Sequence, residues 1–281
     1  MLPPLLELVT RSADYLAKHG ITNARREAEW IFAEALKLSR IELYTRFDMP
    51  LDEAEVARLR ALITRRGKRE PLAYVIGNQP FRALTLTVGP GVLVPRPETE
   101  ELIDHVLKEL VAAGHPAEAR VLDIGTGSGA IALALKSERP ALTVEATEVS
   151  GDALVIARAN AQRLGLEIVF HQGHLARECA GPYDAVVANL PYIGTDERAD
   201  CDPELAFEPQ GALFSGSDGL DLIRELMADL PRLLAPDGSA WLEHGWKQGP
   251  AIVALAAQHG LVGTIIQDGA GRDRFARIAR S

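Results

Sequence analysis

The chain has 281 residues, 47% of them hydrophobic and 25% charged, enough for a sizeable core and for two domains. Its formal charge of -9 speaks against a broad nucleic-acid-binding surface, which needs a concentrated basic footprint, although a local basic patch stays compatible with it. Two cysteines, Cys179 and Cys201, fit unpaired thiols in a reducing cytoplasm rather than a disulfide framework or a zinc cluster, and no targeting signal or membrane-length apolar run is present.

Residues 1–75 carry three amphipathic segments at helical spacing. LLELVTRSADYLAKHG stops at Gly20, NARREAEWIFAEALKL opens on an asparagine able to cap its helix, and DEAEVARLRALITRRGKREP ends in a basic turn. Helices of this length are marginal alone in water, so the three are expected to form a small bundle. The basic stretch RRGKRE reads as a solvated helix end in preference to a binding patch. Trp30, Trp241 and Trp246 are expected as packing anchors, given the apolar area each can bury.

From about residue 80 the apolar period falls to two in FRALTLTVGPGVLVP, which predicts a β-hairpin turning through GPG within a connector over 76–97. RPETEELIDHVLKEL predicts a helix and AAGHPAEA the loop after it. Beyond them, helical stretches alternate with ARVLDIG, ALTVEAT, EIVFHQG, YDAVVAN, GSAWLEHG, VGTIIQD and RFARIAR. The alternation predicts an α/β fold: a seven-strand, mainly parallel sheet covered on both faces, its last two strands suited to an antiparallel edge pair.

The strongest local signal is VLDIGTGSGAIALAL, where an apolar strand runs into Asp123, a turn holds Gly125, Thr126, Gly127 and Gly129, and a helix resumes at once. Glycine lets the backbone turn sharply and lets a ligand approach where a Cβ would collide. The spacing is GxGxG, with Ala130 where a dinucleotide fingerprint has its third glycine. Glu148 follows 23 residues beyond Gly125, at the end of the next strand, where a carboxylate can accept both hydroxyls of a ribose. Glu145 is the competing acid, but its position within the strand suits a structural role. No GxxxxGKT lysine follows, which excludes a triphosphate cradle of that type.

Ligands of open α/β sheets sit beyond the carboxyl ends of the strands, where HQGHLA and NLPYIG occur. His174 suits either packing beside an adenine or exposure on a loop. Asn189 offers an amide oxygen, Leu190 a backbone carbonyl, Pro191 holds the preceding residue extended, and Tyr192 supplies a flat wall. Two acceptors beside an aromatic wall fit a planar nitrogen carrying N–H groups. Fixed acceptors hold such a nitrogen in line and stabilise the positive charge it gains as it attacks a sulfonium methyl, with neither metal nor covalent intermediate required. No HExxH-type metal signature occurs.

LDIGTGSGAIALAL together with NLPYI resembles the Rossmann-like S-adenosylmethionine methyltransferases that modify planar nitrogens. YVIGNQPF, VLVPRPETEEL, FEPQGALFSGSDGLD, LEHGWKQG and GRDRFARIAR, which extend the match over essentially the whole chain, resemble the peptide chain release factor glutamine N5-methyltransferase family. The resemblance implies a small amino-terminal helical domain for substrate recognition over 1–75, a connecting β-hairpin over 76–97 and a Rossmann-like methyltransferase domain over 98–281. It implies methyl transfer from S-adenosylmethionine, leaving S-adenosylhomocysteine and using no metal, to the glutamine of the Gly-Gly-Gln loop of class 1 release factors. A monomeric cytoplasmic enzyme is expected, with nucleic acid not a direct substrate.

By the same resemblance, Asp123, Gly125, Thr126, Gly127, Gly129, Glu148, His174 and Asn189 are expected to bind the cofactor, and Asn189, Leu190, Pro191 and Tyr192 to form the catalytic corner. Arg96, Pro97 and Glu98, with Glu208 and Pro209, are expected beside the substrate, against the alternatives of a proline-stiffened connector and a long lid. Three positions depart from the family pattern: Glu148 stands for Asp, His174 for an acid, and Leu190 for the first proline of Asn-Pro-Pro-Tyr. His244 beside Glu243 suits sheet-end packing and hydrogen bonding better than acid–base work, since adjacency alone sets no catalytic geometry. Two other classes share the pattern: an adenine N6-methyltransferase, whose substrate also presents a planar amine, and a non-catalytic nucleoside-sensing module.

Overall fold

The computed structural model describes residues 3–281 and resolves into two compact units. One runs to Asn78 and takes in Asp202–Phe207; the other comprises Gln79–Cys201 and Glu208–Ser281.

The first unit contains α1 (Leu5–Lys18), α2 (Ala24–Leu36), α3 (Arg40–Thr45), α4 (Glu53–Gly67) and α5 (Leu72–Ile76). In α1 the buried residues Leu5, Val9, Ala13 and Leu16 fall on one stripe, and they pack with Ile31, Phe32, Leu59 and Ile63 in one apolar cluster. Short α3 and α5 join the three predicted helices. Ser39 and Asp52 cap α3 and α4, and each donates its own backbone N–H to a glutamate three residues on. Asn23 precedes α2, but its side chain makes no capping bond, contrary to the expectation. Glu29, buried on α2, accepts from Arg25 at 2.8 Å, from Arg40 at 2.6 Å and from the Tyr44 hydroxyl.

The RRGKRE stretch is not the solvated helix end that its composition suggests. Arg66 is only 6% exposed and donates to Glu27 at 2.5 Å and to Glu204 at 3.0 Å. Arg65 donates to Glu70 at 2.5 Å and Arg69 to Glu204 at 2.7 Å. Glu27 and Glu204, both distant in sequence, thus neutralise Arg66 and Arg69, which no local count of charge reveals.

Further along the chain, β1 (Asn78–Phe81) and β2 (Leu84–Thr87) pair as a two-stranded sheet. The hairpin therefore turns at Arg82 and Ala83, before the predicted GPG, which lies in the loop that follows. Arg82 takes a left-handed φ of +50°, unusual for a side-chain-bearing residue. Its guanidinium is gripped by Glu138, by Asp104 at 2.8 Å and by the Glu100 carbonyl at 2.8 Å, which offsets that strain.

Next come α6 (Pro97–Ala112), β3 (Arg120–Ile124), α7 (Ala130–Glu138), β4 (Thr143–Glu148), α8 (Gly151–Leu164), β5 (Val169–Gln172) and β6 (Tyr183–Ala188). Three short 3-10 turns between 195 and 212 lead to α9 (Asp221–Leu233), β7 (Leu234–Glu243), α10 (Gly249–Gln258), β8 (Leu261–Gln267) and β9 (Asp273–Arg280). The seven strands lie in the order β5-β4-β3-β6-β7-β9-β8. The first five are parallel, while β9 runs antiparallel between β7 and β8 and leaves β8 at the edge. The predicted mainly parallel sheet is thus present with its full strand count.

Burial follows from these patterns. Helix α9 buries Ile223, Leu226, Met227, Leu230 and Leu233, a stripe at helical period that covers one sheet face with Val186, Ala240 and Ile278. Helix α7 is buried all round from Ala130 to Leu135, as its apolar sequence requires. Trp241 is buried and stacks on His105 at 5.5 Å, and Trp30 lies half-buried under Arg26. Trp246 is 57% exposed and anchors no core, because it follows the end of β7 into a loop. No helix among the described residues is long and apolar enough to cross a membrane.

Candidate active site

The chain passes outward from β3 through β4 to β5 and then returns to β6 beside β3. At such a switch the loops leaving neighbouring strands part in opposite directions and open a crevice beyond the carboxyl ends. The loops after β3, β4, β5 and β6 border a cavity of about 240 Å³ there. Gly125, Thr126, Gly127, Glu148, His174, Asn189, Leu190, Pro191 and Pro209 line it, together with Thr99 from α6 and residues of the loop after the hairpin. Asp123, Gly129, Arg96, Pro97, Glu98, Tyr192 and Glu208 lie outside this lining.

The turn after β3 uses φ values of +74°, +55° and +87° at Gly125, Gly127 and Gly129. Above Gly127 a Cβ would meet nothing within 4 Å, so bare backbone faces open space, as close approach by a ligand requires. A Cβ on Gly129 would lie 2.8 Å from Leu133, and one on Gly125 would lie 3.2 Å from Cδ2 of Leu190. Asp123 is fully buried under the turn. Its Oδ2 accepts the Thr126 hydroxyl at 2.6 Å and the Ala132 N–H at 3.1 Å, while Oδ1 has no partner among the described residues. Burial pushes this carboxyl up to about 7, against the pull of those two hydrogen bonds.

Glu148 is held by backbone on both oxygens: Oε2 accepts from Gly127 at 3.0 Å and Oε1 from Ser150 at 2.9 Å. The longer arm of this glutamate thus braces the glycine turn from the neighbouring strand. His174 Nε2 lies 2.7 Å from Glu225 on α9, which sets one nitrogen of the ring. Glu145 is tied to Arg120 at 2.7 Å and to His171 at 2.9 Å, in keeping with a structural acid. Glu145, His171 and Cys179 form a compact group of potential metal-ligating side chains outside the cavity lining.

The corner after β6 is fixed from behind. Asn189 donates its amide N–H to the Thr99 hydroxyl at 3.0 Å, and that hydroxyl donates to Oε2 of Glu243 at 2.7 Å. The Tyr192 phenol donates to Oε1 of Glu243 at 3.2 Å. Burial drives the Tyr192 phenol well above its usual range, with the Glu243 charge adding to the effect. It also raises Glu243, against the bond from Thr99, the charge of Arg274 and the bond from Tyr192. Gln248 donates to the main-chain oxygens of Tyr192 at 2.8 Å and Asp218 at 2.9 Å. A Cβ on Gly219, whose φ is +76°, would sit 2.0 Å from the Tyr192 oxygen.

Arg96 and Glu208 meet as a pair at 2.5 Å, and Oε2 of Glu208 accepts the Val94 N–H at 2.9 Å. Pro97 occupies the first turn of α6 with Glu98, where a missing N–H and a negative charge both suit a helix start. Sequence patterning singled out neither Thr99 nor Gln248, and it assigned Glu243 to sheet-end packing and hydrogen bonding without naming its partners. Each acts through a partner far away in sequence; the one readable sign was a buried-strand glutamate, which needs donors wherever it lies.

The crevice at the strand switch, the bare glycine backbone and the asparagine corner on one cavity define a Rossmann-like, S-adenosylmethionine-dependent methyltransferase. Residues 99–206 match the family model of the methyltransferase small domain, and residues 7–77 that of the PrmC N-terminal domain. The chain is 40% identical over 263 residues to the release factor glutamine methyltransferase of Geobacter sulfurreducens, covering 92% of this chain and 91% of the relative. It is 36% identical over 277 residues to that of Deinococcus radiodurans, covering 99% of both. A solved methyltransferase from Pyrococcus furiosus shares the fold, with a TM-score of 0.52 and 20% identity over 70% of this chain and 88% of that one. The chain belongs to the release factor glutamine methyltransferase family.

Proposed function

We propose that the protein transfers a methyl group to the side-chain amide nitrogen of the glutamine in the Gly-Gly-Gln loop of class 1 release factors, acting as a monomer in the cytoplasm. The observation that carries this is the shared cavity: the bare backbone at Gly127 and the acceptors of the Asn189–Pro191 corner border the same space. Family membership supplies the protein substrate. The helical region over 1–75 recognises the release factor, 76–97 connects, and 98–281 performs the transfer.

S-Adenosylmethionine, when bound, supplies a methyl carried on a sulfonium. Gly125, Thr126, Gly127 and Gly129, above Asp123, would hold it through their backbone, and Glu148 and His174 would bind its nucleoside. Asn189 and the carbonyl of Leu190 accept the two N–H bonds of the glutamine amide. The amide lone pair is delocalised, so these acceptors stabilise the positive charge that grows on nitrogen and aim it along the transfer line. Pro191 stiffens the corner and Tyr192 walls it. Arg96, Pro97, Glu98, Glu208 and Pro209 shape the entrance through which the loop is seated.

The test is incubation with labelled S-adenosylmethionine and three acceptors: a release factor, its loop glutamine-to-alanine variant and an adenine-containing oligonucleotide. Label on the native factor alone is the expected result. Label on the oligonucleotide, or none anywhere despite cofactor binding, overturns the proposal.

A further inference from the structure

We propose that Thr99 and Glu243 are positioning residues that set which end of the Asn189 side-chain amide faces the cavity. An asparagine amide carries an acceptor and a donor of nearly equal size, and a flip exchanges them. Only the carbonyl oxygen serves a substrate that presents N–H groups; the NH₂ end would repel it. Some neighbour must therefore break the symmetry.

Glu243, at the end of β7, is 1% exposed. Its two oxygens each accept from a hydroxyl, Oε2 from Thr99 at 2.7 Å and Oε1 from Tyr192 at 3.2 Å. The single hydroxyl proton of Thr99 is thereby committed to Glu243, so toward Asn189 its oxygen can only accept. The N–H of Asn189 meets that oxygen at 3.0 Å, and the amide oxygen is the end left over. Polarity thus passes one way from a carboxylate on β7, through a hydroxyl on α6, to the amide after β6. Thr99 is itself buried, which strengthens both of its bonds.

This rests on the glutamine-methylating function proposed above, and the test separates the two. Turnover on the release factor and cofactor affinity would be measured for the wild-type protein and for Thr99→Val, Thr99→Ser, Asn189→Ala and the Thr99→Val/Asn189→Ala double variant. Alongside, the side-chain NH₂ resonances of Asn189 report the Thr99 bond whatever the acceptor. Thr99→Val keeps the shape and removes the hydroxyl. It should lower kcat about 10- to 100-fold, the scale of a misaligned reacting group, leave cofactor affinity within about twofold, and speed exchange of the Asn189 NH₂ protons. Thr99→Ser should restore both readouts. In the Asn189→Ala background Thr99→Val should cost nothing further, because its effect runs through the amide. Equal losses in both backgrounds, failure of serine to rescue, or unchanged NH₂ exchange in Thr99→Val would overturn the positioning role. A wild-type protein that leaves glutamine unlabelled overturns the function instead, while the exchange measurement still decides the tether.

Discussion

Arg96 donates to Oε1 of Glu208 at 2.5 Å while Oε2 of the same carboxylate takes the Val94 N–H, so one buried acid joins the segment before α6 to the loop before α9. Glu208 is 3% exposed, and removing its cation strands a charge away from water. Arg96→Ala should destabilise the protein by about 2 kcal/mol, below the roughly 3–5 kcal/mol of a wholly buried pair because Arg96 keeps partial contact with solvent. Adding Glu208→Gln should recover part of that loss. Denaturant unfolding of the two single variants and the double variant measures the coupling, and strictly additive losses would refute it.

Asn189→Ala should reduce kcat by about 10²–10³, the cost of losing one preorganised partner of a developing charge. Cofactor affinity should change little, since the glycine turn and Glu148 remain. Calorimetric titration with S-adenosylhomocysteine beside single-turnover rates separates the two effects, and retained turnover would remove Asn189 from the reaction.

Gly219→Ala places a methyl 2.0 Å from the main-chain oxygen of Tyr192 in a backbone region that side chains avoid. Backbone cannot yield as a flexible side chain can. The variant should lose activity by more than its melting temperature suggests, because the displaced atom belongs to the corner after β6. Thermal unfolding and kcat, measured together, check this; wild-type turnover would mean that the corner tolerates the shift.

Asp123 makes stability fall with rising pH. Its folded value, about 7, exceeds the ordinary 3.8, so its contribution is full below the unfolded value and is lost as pH rises through the folded one. Between about pH 4 and 7 the slope contributed by this single proton is at most about 1.4 kcal/mol per pH unit. Asn in its place still accepts from Thr126 and Ala132 through its oxygen. Asp123→Asn should therefore flatten the melting temperature over this range, and an unchanged profile would contradict the assignment.

Glu29 acts in the opposite sense. Burial pushes its carboxyl up, but bonds from Tyr44, Arg25 and Arg40 outweigh this and bring it below the ordinary 4.5. Its stabilisation is present above the unfolded value and lost as pH falls through the folded one. Glu29→Gln should weaken the helical unit near neutrality and shrink the acid-induced loss of stability below about pH 4.5. Circular dichroism of the full chain against pH reads both, and equal acid midpoints would count against it.

Periodicity was enough to find the sheet and the three long helices because burial there repeats along the chain. The glycine turn and the asparagine corner were equally legible, since each compresses its chemistry into a few contiguous residues. Helices α3 and α5 escaped because six and five residues hold too few turns to show a period. The hairpin turn was misplaced because GPG is the stronger local signal, while Arg82 turns only with acids supplied from α6 and α7. Thr99 and Glu243 lie 144 residues apart, and no local pattern connects them.

Leu190 is 4% exposed, and its Cδ2 occupies the space that a side chain on Gly125 would enter. The turn after β3 and the corner after β6 are therefore not independent parts. A side chain at 125 meets two obstacles at once, a φ of +74° and the branched end of Leu190, so both loops hold that position to glycine.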